Sequence, residues 1–120
     1  MIYKKTWKYI LILDNTYYCR KNYYRLKAIK NFSDVSKGDL GGYVISYHSL
    51  SQKGKCWVYN EARIDDDAIV CGNAKIQIEA LVSGKAKVFE NAIVTDSAYV
   101  CGDAVVSKNS YIGGYETRCC

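Results

Sequence analysis

Proline is absent from all 120 residues, which suits a chain laid out in ladders where every backbone N–H is needed as a donor. No stretch approaches the roughly 18 consecutive apolar residues of a membrane helix, so no membrane partner is expected. The one stretch that resembles a signal core, Tyr9-Ile10-Leu11-Ile12-Leu13, is shorter than the usual 7 to 15 or so residues. It also runs into Asp14 and has no small-residue cleavage site, so a cytoplasmic location is expected. Metal-ligand spacing is missing too, since Cys19, Cys56, Cys71 and Cys101 form no CxxC pair. A reducing cytosol would keep them as small buried or surface residues. Cys119 and Cys120 read as free thiols on a frayed terminus, with no chemistry assigned to them.

What is present fits one domain with a small cap, because the chain is short and 49% of it is apolar. Alanine stands at 62, 68, 74, 80, 86, 92, 98 and 104, with Ser110 next in register. Two residues after each comes an aliphatic: Ile64, Val70, Ile76, Val82, Val88, Val94, Val100, Val106 and Ile112. Cys56 and Val58 extend the series by one unit. Such a fixed period marks a repeat architecture. In a strand, the small residue and the aliphatic share one face while the residue between them points out. The unit then closes with turn formers such as Asp66-Asp67, Gly72-Asn73, Glu90-Asn91 and Gly102-Asp103.

Six-residue sides suit a triangular prism whose coils stack at about the 4.8 Å strand spacing. Residues 56–115 hold ten units, a little over three coils, with 1–55 as cap and lead-in and 116–120 as a tail. The alanines are explained by a narrow interior with no room for a larger side chain.

The pattern resembles the hexapeptide-repeat superfamily, whose members form left-handed parallel β-helices and include many acyltransferases. A second stretch sharpens the likeness: Leu26 to Val35, then Gly38-Asp39-Leu40-Gly41-Gly42-Tyr43-Val44, then Leu50 to Val58. It looks like the lead-in of small hexapeptide proteins of phages and prophages, and the resemblance covers about 23–115. It implies an all-β fold, a left-handed parallel β-helix under an antiparallel β cap, in a bacterial host's cytoplasm. The acyltransferases use a histidine base, but the single histidine here, His48, precedes the repeats. No enzyme activity, catalytic residue or cofactor is expected. Asp65-Asp66-Asp67 reads as a solvated turn rather than a cation site, and Gly38, Gly41 and Gly42 lack phosphate-loop spacing.

The cap's apolar positions alternate with polar ones, Tyr3, Trp7, Tyr9, Leu11 and Leu13 against Lys4, Thr6 and Lys8, as in a strand. Tyr17–Arg20 and Tyr23–Ile29 read as two further strands of an antiparallel meander covering the end of the stack. Up to Lys55 there are eleven Lys/Arg against three Asp/Glu; beyond it there are six against nine. Interleaved cations and tyrosines in the basic part suit an acidic partner or a single nucleic-acid strand. Alternate tyrosines are equally good residues for a half-buried sheet. Lys4, Lys8, Arg20, Lys21, Arg25 and Lys27 are the candidate binding cations. On the outer faces of the repeats, Leu81, Ile93, Tyr99, Val105 and Tyr111 are candidates for self-association or a partner surface.

The leading expectation is a non-enzymatic, phage-encoded binding protein docking on a host protein such as a nuclease or ribonucleoprotein. An inhibitor of a bacterial defence nuclease, of anti-CRISPR type, is its specific form. Direct binding of RNA or single-stranded DNA by the cap is one alternative. A degenerate acyltransferase that binds acyl-coenzyme A between subunits is another.

Overall fold

A computed structural model describes residues 6–14 and 23–119. Among the described residues every regular element is a strand. The cap holds β1 (Tyr9–Asp14) and β2 (Tyr23–Ala28), and β3 (Leu40–Val44) follows. Eleven two-residue strands come next: β4 (Trp57–Val58), β5 (Arg63–Ile64), β6 (Ile69–Val70), β7 (Lys75–Ile76), β8 (Leu81–Val82), β9 (Lys87–Val88), β10 (Ile93–Val94), β11 (Tyr99–Val100), β12 (Val105–Val106), β13 (Tyr111–Ile112) and β14 (Thr117–Arg118).

These short strands stack in parallel into a solenoid with three faces. One face runs β3-β5-β8-β11-β14, the second β4-β7-β10-β13 and the third β6-β9-β12. Arg63 pairs with Leu81 and Tyr99, so one coil takes 18 residues. The small residue and the aliphatic of each unit point inward: the alanines from 62 to 104 and the aliphatics from Ile64 to Ile112 are all at most 1% exposed. A column of alanines lets backbones approach closely at each corner, while the aliphatics fill the prism.

Backbone N–H groups of one coil donate to carbonyls of the next, as in Arg63 N to Ala80 O and Lys75 N to Ala92 O, both 3.0 Å. The stack reaches beyond residues 56–115 at both ends. Tyr43 and Val44 of β3 pair in parallel with Arg63 and Ile64, and Leu50 bridges to Val70, which adds a lower coil and brings the total to about four. At the far end Thr117 and Arg118 pair with Tyr99 and Val100.

Strand β3 joins the two architectures, since it is antiparallel to β2 and parallel to β5. The third strand of the cap's meander is therefore β3, from the lead-in segment. Tyr17–Arg20 lies outside the described residues. Two glycines permit this junction. A Cβ at Gly41 would sit 2.7 Å from the Trp57 ring, and one at Gly42 would strike the Ala62 carbonyl.

The corners follow a rule of their own. Asn60, Asp66, Glu90 and Asp96 turn with φ of 54° to 61°. The side chain of each accepts from the backbone N–H 18 residues on, at Ile78, Gly84, Lys108 and Gly114 respectively. Ile78 occupies such a corner at φ 64° and 45% exposure, with a β-branched side chain that cannot accept a hydrogen bond. The left-handed region costs an L-residue roughly 1–2 kcal/mol, and Asn tolerates it well. Ile78→Asn should therefore raise stability by about 1 kcal/mol in urea unfolding, whereas Ile78→Val should bring no gain.

Candidate functional site

The lower end of the solenoid is where chemistry concentrates. Within the stack, Gly72 O and Ala74 O are bonded by N–H groups of Lys55, Cys56 and Trp57 in the coil below. Their counterparts one coil down, Gly54 O and Cys56 O, have no further coil beneath them to supply donors. Lys8 supplies them instead. Its Nζ donates to Gly54 O at 3.2 Å and Cys56 O at 2.7 Å, lies 3.3 Å from Cys56 Sγ, and sits 5.1 Å above the Phe32 ring. The Tyr9 hydroxyl donates to Leu50 O at 2.5 Å, and Gln52 Oε1 accepts from Lys8 N and Tyr9 N. Trp57, though outward-facing in its strand, is sealed by Tyr9 and Phe32 to 2% exposure.

Lys8 is consequently 3% exposed and is not a surface cation. Its place among polar residues of an alternating strand suggested solvent, but β1 begins only at Tyr9, and Lys8, one residue earlier, reaches the solenoid's lowest coil together with Tyr9. Burial pushes its pKa below the ordinary value, and burial likewise raises that of the Cys56 thiol. Arg25 is half-buried: its Nε donates to Gly41 O at 3.0 Å and its guanidinium lies 5.1 Å from the centre of the Tyr43 ring. Lys27 is exposed. Lys4, Arg20 and Lys21 lie outside the described residues.

Around Lys27 the loop after β2 builds two grooves. Ile29 N bonds to Lys8 O, while Ala28 N bonds to Asp39 O and Gly38 N to Ala28 O, so residues 29–39 leave and return at the edge of the cap. The first groove, of about 700 Å³, is lined by Trp7, Ile10, Lys27, Ile29, Lys30 and Lys37 among others. The second, of about 590 Å³, is lined by Trp7, Lys30, Phe32 and Lys53 together with Gln52 and Gly54. Trp7 and Lys30 belong to both. Lys30 Nζ reaches Thr6 O at 3.1 Å across the divide. The loop's acids are engaged elsewhere, with Asp34 accepting from the Tyr59 hydroxyl at 2.7 Å and Asp39 from Ser36 N at 2.8 Å.

Sequence reasoning missed Trp7, Lys30, Lys37 and Lys53 as a group. Their meeting depends on the returning loop, whose only sequence signal is the Gly38-Asp39 turn.

The outer-face candidates do not form one patch. Leu81 and Tyr99 neighbour each other on the first face, Ile93 and Tyr111 on the second, and Val105 stands on the third beside Lys87. Cys119 is no free thiol; it is joined to Cys101, 18 residues away and so in the same column one coil below. Cys120 is outside the described residues. Of the three consecutive acids, Asp65 is buried, Asp66 is a corner acceptor and Asp67 is exposed. Among the described residues no group of three His, Cys, Asp or Glu could hold a metal ion. His48 is exposed in the turn after β3 and lines neither groove. Compared with known proteins, the chain matches no protein-family model and no curated protein.

Two outcomes follow from the buried groups. Lys8→Met strands two carbonyls and should cost about 2–4 kcal/mol in urea unfolding, whereas Lys27→Ala should change stability by less than about 0.5 kcal/mol. Burial also holds the hydroxyls of Tyr9, Tyr23 and Tyr59 above their ordinary pKa of 10.0. The folded chain therefore keeps protons that the unfolded chain loses above about pH 10, and the stability present below that pH falls as pH rises. Lys8 has the opposite sign, its penalty easing as pH rises toward the 10.5 of a free lysine. Tyr59→Phe should make the alkaline fall of stability shallower by up to about 1.4 kcal/mol per pH unit.

Proposed function

We propose that the protein is a non-enzymatic binding protein that docks a polyanionic partner on its cap, with the solenoid as a rigid mount. The observation that carries this reading is the convergence of four exposed lysines, Lys27, Lys30, Lys37 and Lys53, on two aromatic-walled grooves. The loop's two acids, Asp34 and Asp39, accept hydrogen bonds from the Tyr59 hydroxyl and Ser36 N, and neither lines a groove. Clustered positive charge of this kind draws polyanions and speeds their encounter.

The likeness to phage hexapeptide-repeat proteins extends the proposal to a host nucleic acid or ribonucleoprotein as partner, the setting in which an inhibitor of a defence nuclease works. Heparin-agarose tests the core of the reading, because it presents polyanion without sequence or base. The wild-type chain should be retained and elute with salt, and Lys27→Glu/Lys37→Glu, both at exposed positions, should elute at clearly lower salt while melting normally. Wild-type protein in the flow-through, or equal elution of the two, would refute it.

A further inference from the structure

We infer that the two grooves form a site for a single nucleic-acid strand, with Trp7 as the platform on which a base stacks. This rests on the polyanion reading and names the ligand class within it. Three features favour a nucleic-acid strand over an acidic peptide or a duplex.

The first is the alternation of chemistry along the path. The first groove is lined by Lys27 and Lys37 with Ile10, Ala28 and Ile29; Trp7 and Lys30 are shared by both; Phe32 and Lys53 line the second. A strand's charged phosphates and flat-faced bases alternate in the same way, whereas a run of acidic side chains offers no π-face to an aromatic ring.

The second is the state of Trp7 itself. It is half-buried, packs against Tyr47 at 5.0 Å between ring centres and lines both grooves, so its position is held by the fold. A held ring costs little further ordering when a base stacks on it. The third is concavity. The aromatic surface lies inside grooves, where unpaired bases can enter and the stacked bases of a duplex cannot.

The test is titration of the full chain with a 15-nucleotide oligouridylate, read by tryptophan fluorescence and by anisotropy of a labelled strand. Trp57, the other tryptophan, is 2% exposed and serves as the internal unquenched reference. Binding should quench Trp7, and the quench should be absent in Trp7→Leu, whose affinity should fall about tenfold. The logarithm of the affinity should fall with that of salt at a slope of about −2.8 if all four lysines meet phosphates, and Lys27→Gln/Lys37→Gln should reduce it by about 1.4. Those two lysines are exposed, so this variant keeps the test decisive even if Trp7→Leu folds poorly.

The site is overturned if the lysine variant keeps the wild-type slope, or if strand binding leaves fluorescence unchanged. It is equally overturned if a duplex or a polyglutamate peptide binds as tightly as the strand. Heparin retention without a strand-induced quench would sink this inference and leave the polyanion reading standing.

Discussion

The hydrogen-bonding demand of an unfinished ladder governs this molecule. In a stack of parallel coils each carbonyl that faces down is bonded by the coil below, and the lowest coil must find its donors elsewhere. Here one ammonium, Lys8 Nζ, meets Gly54 O and Cys56 O, and one hydroxyl, on Tyr9, meets Leu50 O. With those donors fixed, the rest of the cap has little freedom. Phe32 and Tyr9 close over Trp57, β3 must pass so near Trp57 and Ala62 that only glycine fits at 41 and 42, and the loop 29–39 returns beside Trp7. The grooves are a by-product of that closure.

The sequence was legible where contacts repeat at a fixed interval. Alanine every six residues with an aliphatic two places on defined the inward columns, and those residues are buried as their spacing implies. The corners were legible as turn formers, with Ile78 the exception, because nothing in its local sequence betrays a positive φ. Legibility failed where contacts are unique. Tyr9 and Leu11 are buried as the alternation of β1 suggests, yet Leu13, in the same phase, is 63% exposed, which the alternation alone does not foretell. Lys8 looked like a solvent-facing cation because a strand pattern cannot reveal that both faces of that segment have work. Cys119 looked like a loose end, although a separation of 18 residues from Cys101 is one coil, which the repeat period already contained.

Electrostatics and architecture then divide the labour. The segment up to Lys55 carries eleven basic against three acidic side chains, and the solenoid beyond it carries six against nine. In the cap, four exposed lysines, Lys27, Lys30, Lys37 and Lys53, line the grooves. In the solenoid, the corner acids Asp66, Glu90 and Asp96 have a structural task, accepting backbone N–H groups of the next coil. A partner attracted to the cap therefore meets a surface whose back is fixed by the stack, which lowers the ordering cost of binding.

The proposed binding occupies the cap's grooves and leaves the solenoid faces free. Hydrogen exchange of the full chain with and without a saturating single-stranded oligonucleotide addresses it directly. Added protection confined to peptides spanning 6–10, 27–38 and 52–54 is the predicted result. Protection running along the coils from β5 to β13 instead, with those peptides unchanged, would contradict it.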